Sequence, residues 1–258
     1  RLWLIGASVD VNSRVLTLYK AENDSDRIEI RFDDQLTCNN RLSVEIWKRA
    51  FEGVDMGDEV STFLERVAGR KGLRLVMTPL DLDRQPILPD RLAIVTELKS
   101  DQILKTSFAD NFPYLIVTEN SLDDVNSRLD NDVEMRRFRP NITIARNLSL
   151  KPYEEETWKD ISIVPKEVDT GLAERRGVIP MYAVSVCARC TIPNVDPETA
   201  KREEKGPSYV LRKYHTTVSD NPVFGINTIH TRDAVNKVIR VGDTIQIHSK
   251  HTTIQEFE

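Results

Sequence analysis

Val186-Cys187-Ala188-Arg189-Cys190-Thr191-Ile192-Pro193-Asn194-Val195-Asp196-Pro197 ends a β-type run with two cysteines and then breaks it with two prolines. The run before it, Met181 to Val186, has the length of a strand, while Pro193 and Asp196-Pro197 impose a loop. A Cys-x-x-Cys at such a junction has four readings: a redox disulfide, half of a zinc site, a soft-metal ligand with a neighbouring thiol, or two buried thiols. Zinc needs four ligands; the only other cysteine is Cys38, and His215, His230, His248 and His251 lack finger-like spacing. A thioredoxin-type pair belongs at the start of a helix, which the prolines oppose. From the residues alone, a loop-presented thiolate beside the cation of Arg189 and an inert pair of buried cysteines both stay open.

Upstream, Arg137-Phe138-Arg139-Pro140-Asn141 packs charge just ahead of a strand expected over Asn141 to Ala145. A guanidinium fork suits a phosphate or a planar heterocycle, and the alternative is a solvated turn. Ser107-Phe108-Ala109-Asp110-Asn111-Phe112-Pro113 is a polar turn feeding the apolar run Tyr114 to Thr118. Ser121-Leu122-Asp123-Asp124 then has the form of a capping box opening a helix.

The N-terminal part reads as short strands at Arg14 to Tyr19, Arg27 to Phe32 and Leu42 to Trp47. The period then changes: Val60, Phe63, Leu64 and Val67 fall on one helical face, with Asp58 to cap it and Gly69 to end it. Thr78 to Phe112 carries three prolines and no period, which predicts a long excursion. Further strands are expected at Ile161 to Val164 and Met181 to Val186, and a short helix from Pro207 through Val210, Leu211 and Tyr214. Lys237 to Val241 and Thr244 to His248, joined by Gly242-Asp243, predict a terminal hairpin.

With 40% hydrophobic residues the 258-residue chain can bury a substantial core. Its 36 basic and 41 acidic side chains are scattered, without the basic stripe that a nucleic-acid backbone requires. No apolar run is long enough for a membrane span, no secretory signal is visible, and three cysteines fit a reducing, intracellular compartment better than a disulfide scaffold.

In order along the chain these segments resemble the MOSC superfamily, and within it the amidoxime-reducing branch. Arg1-Leu2-Trp3-Leu4-Ile5, and Val44-Glu45-Ile46-Trp47 with Asp55-Met56-Gly57-Asp58-Glu59-Val60, are similar to that family's leading domain. Phe112-Pro113-Tyr114-Leu115-Ile116, Ser121-Leu122-Asp123-Asp124-Val125-Asn126, Phe138-Arg139-Pro140-Asn141-Ile142, Cys187-Ala188-Arg189-Cys190 with Val195-Asp196-Pro197, Phe224-Gly225 and Val241-Gly242-Asp243 are similar to its MOSC part.

The resemblance implies an α+β, strand-rich fold: a MOSC β-barrel domain over residues 79–258 and a smaller N-terminal β-barrel-like or mixed domain over 1–78. The start of the smaller domain is expected to lie upstream of Arg1, and so is the family's Lys-Ser phosphate motif. A molybdenum-pterin cofactor (molybdopterin) is implied, with Cys190 as metal ligand and catalytic residue and Cys187 structural. Arg1, Asn111, Phe112, Arg139, Asn141, Ala188 and Arg189 would surround the pterin and its phosphate. The implied activity is reduction of N-hydroxylated compounds, amidoximes and hydroxylamines, in the cytoplasm or mitochondrion. Electrons would come from an external b-type cytochrome and its NADH-dependent reductase, since the chain has no ferredoxin-type cluster and no dinucleotide fingerprint. The superfamily is also associated with pyridoxal phosphate. The alternatives are a cofactor or sulfur carrier without turnover, and a binding protein without the cofactor. Two positions depart from the family pattern: Ala200, where glycine is usual after Val-Asp-Pro-x-Thr, and Ile226-Asn227, where an aromatic follows Phe-Gly.

Overall fold

A computed structural model of the chain describes residues 4–32, 40–79, 106–110, 112–166, 176–231 and 234–252. The chain divides into two compact units, residues 1–84 with 196–202, and residues 85–195 with 203–258.

In the first unit, β1 (Ile5–Asp10), β2 (Val15–Lys20) and β3 (Asn23–Arg31) form one antiparallel sheet. β4 (Arg41–Ile46), β5 (Arg49–Asp55) and β6 (Val76–Met77) form a second. Helix α1 (Asp58–Ala68) buries Val60, Phe63 and Leu64 against Leu18, Ile30 and Met56, which is the stripe that the sequence period predicts. Its start differs from expectation. Gly57, at φ 94°, is the N-cap, and the Asp58 carboxylate instead pairs with Arg74. Gly69, left-handed at φ 62°, closes the helix as predicted.

In the second unit, six strands lie in the order β12-β9-β10-β11-β7-β8 in a curled half-barrel sheet. They are β7 (Tyr114–Thr118), β8 (Ile142–Ile144), β9 (Trp158–Val164), β10 (Ile179–Ala188), β11 (Val223–His230) and β12 (Thr244–Lys250). Among the described residues only the β7 and β8 pairing is parallel. Trp158, Ile116, Met181, Val184 and Ile226 fill one core cluster, whereas Leu115, Val117, Phe138, Leu211 and Phe224 fill another. Neighbours along β7 therefore enter different clusters, and a strand covered on both faces reads as the continuous apolar run Tyr114 to Val117.

Two expectations are corrected here. Helix α2 (Glu119–Asn126) starts before the expected capping box: Thr118 is its N-cap and accepts from the Ser121 amide, so Ser121 lies inside the first turn. The terminal hairpin does not form, because β12 pairs with β9 and none of residues 237–241 is a strand. Asp243 explains the difference. Its carboxylate accepts from the Arg240 and Lys166 amides and from the Arg176 guanidinium, which folds 240–243 into a turn. Helix α3 (Pro207–Tyr214) begins on Pro207 as predicted. Most of the excursion over 78–112 lies outside the described residues.

Candidate functional site

The candidate site grows from the end of β10. Ala188, exposed at the last position of that strand, pairs with Val223 across a bulge, and the Arg189 amide donates to the Pro222 carbonyl at 2.7 Å. The ladder then stops and the chain turns through Cys190 into a 3₁₀ turn at Ile192–Asn194. Cys190 is a free, exposed cysteine whose Sγ accepts from the Ile192 amide at 3.4 Å.

Cys187 is also free but part-buried, packed against the Phe138 and Phe224 cluster. Burial pushes its thiol pKa up, and the neighbouring Arg189 cation opposes that rise. Arg189 lies just past the end of β10, two residues beyond Cys187, and its Nη1 is 3.0 Å from Cys187 Sγ. The expected pairing of this cation with the Cys190 sulfur is therefore replaced by pairing with Cys187. Nη2 donates to the Phe138 carbonyl at 2.6 Å, and the guanidinium lies 5.6 Å from the Phe138 ring centre.

That second bond brings the arginine-rich turn to the cysteine loop. Residues Met135–Phe138 form a 3₁₀ turn that packs against Ile192–Asn194, and Arg139 closes it with left-handed backbone at φ 56°. Arg139 is exposed, and its guanidinium has no hydrogen bond or ion pair among the described residues. Arg137, by contrast, is buried and pairs with Glu203. Asn141 fixes the exit of this segment: its Oδ1 accepts from the Leu115 amide at 2.8 Å, and its own amide donates to the Leu115 carbonyl at 3.0 Å.

Cys190, Ala188, Arg189 and the turn carrying Arg139 are thus assembled together. Phe112 is not: half-buried against the barrel core, it precedes β7, whereas the Ala188 end of β10 is level with the far end of that parallel-running strand. Arg1 and Asn111 lie outside the described residues, as does Cys38. Among the described residues no cluster of three or more His, Cys, Asp or Glu could hold a metal ion, and Cys190 is the more exposed of two free thiols that could act as soft donors.

Sequence reasoning missed a buried polar network behind this loop. Glu155 and Glu156 are both fully buried in the short turn Glu154–Thr157. Glu155 accepts from the hydroxyls of Thr118 and Ser121, the latter at 2.7 Å, and its pKa is raised to about 7 by burial and by the neighbouring Glu156. Glu156 accepts from the Gly225 amide at 3.0 Å and lies 2.7 Å from His215 Nε2, with the His215 ring stacked on Tyr153. Gly225 is required at this contact, because at φ 80° a Cβ would lie 2.6 Å from the Ile116 carbonyl oxygen. Nothing in the run Glu154-Glu155-Glu156 separates its outer member, paired with Lys250, from the two inner ones.

Comparison with known families gives a match to the MOSC domain over residues 104–246, more than half of the chain. The chain belongs to the MOSC domain family. This MOSC protein is 31% identical over 196 residues to mitochondrial amidoxime-reducing component 1 of Danio rerio, covering 73% of this chain and 52% of the relative. It is 28% identical over 200 residues to mitochondrial amidoxime-reducing component 1 of Homo sapiens, covering 76% and 53%. To mitochondrial amidoxime reducing component 2 of Homo sapiens it is 26% identical over 223 residues, covering 82% and 58%. The MOSC chain therefore spans about half the length of these relatives. Among its described residues no helix is long and apolar enough to cross a membrane.

Proposed function

We propose that this MOSC protein is a molybdenum-dependent reductase of N-hydroxylated compounds, with Cys190 as the protein ligand of a molybdenum-pterin cofactor. The observation that carries the reading is the pairing of an exposed, free Cys190 with an exposed, uncommitted Arg139, on two turns that Arg189 holds together. These residues fit the group. A thiolate on a loop is a suitable soft donor, Arg139 offers an open guanidinium to a pterin or phosphate, and the buried Arg189 Nε retains an unused N–H. The names of the relatives, amidoxime-reducing components, point to the substrate class.

When bound, the cofactor would supply two electrons for N–O cleavage, which with two protons turns an amidoxime into an amidine and water, or a hydroxylamine into an amine and water. The chain contributes the sulfur and its orientation. Arg189 holds the Phe138-Arg139 peptide so that the neighbouring guanidinium has a fixed base, and Asn141 locks the outgoing chain to β7. The electron donor would be external, a b-type cytochrome served by an NADH-dependent reductase.

Molybdenum per chain and benzamidoxime reduction with an added electron donor test this reading together. Cys190→Ala is expected to lose both while keeping the wild-type unfolding midpoint, since the side chain is exposed. Arg139→Gln is expected to lower cofactor retention, again without loss of stability. Stoichiometric molybdenum without turnover in the wild type would instead identify a carrier, and undiminished molybdenum in Cys190→Ala would remove the ligand assignment.

A further inference from the structure

Helix α3 is built into the cysteine loop at its first turn. Ser208, buried at the second position of the helix, donates its hydroxyl to the Cys190 carbonyl at 2.6 Å. Its amide donates to Asn194 Oδ1 at 2.8 Å, so a side chain of the loop caps the helix while a side chain of the helix holds the loop. The preceding Gly206 allows this approach, because a Cβ there would lie 2.9 Å from the Asn194 side chain and 3.0 Å from its Cα. Between the two anchored points, Cys190 and Asn194, runs the peptide whose Ile192 N–H is directed at Cys190 Sγ.

We propose that Ser208 is the positioning residue for the Cys190 sulfur. By fixing the carbonyl of Cys190, it sets the tight turn in which the Ile192 amide donates back to the sulfur, and so fixes the direction in which that sulfur is offered to a ligand. A hydrogen bond to a ligating sulfur restrains its orientation and tunes the metal, which gives a hydroxyl remote from the metal an influence on the metal's properties. This inference rests on the reading of Cys190 as a metal ligand; Ser208 itself touches neither cofactor nor substrate.

The test compares wild type, Ser208→Ala and Ser208→Thr as full-length chains. Ser208→Ala keeps the amide that Asn194 caps and removes only the hydroxyl; Ser208→Thr restores it. Hydrogen exchange at the Ile192 amide is expected to speed up about fivefold in Ser208→Ala, the equivalent of one ordinary hydrogen bond of about 1 kcal/mol, and to return towards wild type in Ser208→Thr. In protein loaded with molybdenum, the electron paramagnetic resonance signal of its one-electron-reduced form is expected to change in Ser208→Ala and to recover in Ser208→Thr. Unchanged exchange at Ile192, or an unchanged signal in the loaded alanine variant, overturns the inference. Wild type that takes up no molybdenum overturns the functional reading instead, and the exchange arm still decides whether Ser208 fixes the sulfur.

Discussion

The Arg189 guanidinium donates to the carbonyl oxygen of Phe138 at 2.6 Å, spanning fifty-one residues of chain to tie the cysteine loop to the turn that presents Arg139. Its other terminal nitrogen is on Cys187 Sγ at 3.0 Å, and both contacts use the planar fork. An ammonium group is a single point donor and cannot reproduce that geometry. Arg189→Lys is therefore expected to lower stability by about 1–2 kcal/mol and to reduce molybdenum per chain. Urea unfolding and metal analysis check it; a variant with wild-type values in both would mean that the bridge contributes nothing.

The second prediction concerns pH. Glu155 has its pKa raised to about 7 by burial and by Glu156, so between the ordinary carboxylate range and pH 7 the folded chain binds a proton that the unfolded chain has released. Stability from this group is fully present below about pH 4.5 and is lost as pH rises through about 7, to a total of about 3 kcal/mol. Glu155→Gln keeps the shape and cannot ionise. Urea midpoints from pH 5 to 8 are expected to decline in wild type and to flatten in the variant, and parallel profiles would show that Glu155 is not the titrating group.

What the sequence conveyed about this molecule followed patterns carried by neighbouring residues. The α1 stripe Val60, Phe63, Leu64, the Gly69 stop and the Pro207 start depend on local geometry, and each stands where its spacing places it. The helix starts were misplaced locally, by one residue at Gly57 and by three at Thr118, but the larger errors involved partners far along the chain. Lys237 to Val241 has the composition of a strand, yet Asp243 gathers Lys166 and Arg176 and folds the approach into a turn. Arg189 is adjacent to Cys190 in sequence, but its side chain bridges Cys187 Sγ and the distant Phe138 carbonyl. Glu155 and Glu156 look like a solvated acidic run, and it takes Thr118, Ser121, His215 and the Gly225 amide, all distant in sequence, to compensate their burial. The cysteine and arginine segments could be picked out, but not the bond that joins them.

Ala200 supplies the third prediction. It stands at φ 55°, in the left-handed region, within a turn where Asp196 Oδ1 accepts from the Glu198 and Thr199 amides at 2.8 Å and the Ala200 amide donates to the Asp196 carbonyl at 2.9 Å. A residue with a Cβ is strained there by about 1–2 kcal/mol, which accounts for the glycine usual at this position in the family pattern. Ala200→Gly relieves that strain, partly offset by a more flexible unfolded chain, for a net gain of about 1 kcal/mol. Thermal unfolding checks it, and a lower midpoint in the glycine variant would refute the strain argument.

The β4 to β5 hairpin carries the same physics twice over. Ile46 pairs with Arg49, leaving a two-residue loop of Trp47 and Lys48 at φ 51° and 64°. Positive φ at both central positions is the turn whose twist matches the flanking strands, and Asn-Gly is its preferred sequence because those residues tolerate the left-handed region. Trp47 is 75% exposed, so its ring contributes little burial to offset the strain. Replacing Trp47-Lys48 with Asn-Gly is accordingly expected to raise stability by about 1 kcal/mol or more and to leave the register of Arg41 to Val54 unchanged. Urea unfolding reads the first and amide hydrogen exchange along β4 and β5 the second. A loss of stability would mean that Trp47 is held by a contact worth more than the strain in its backbone, and that this exposed indole is retained for its surface.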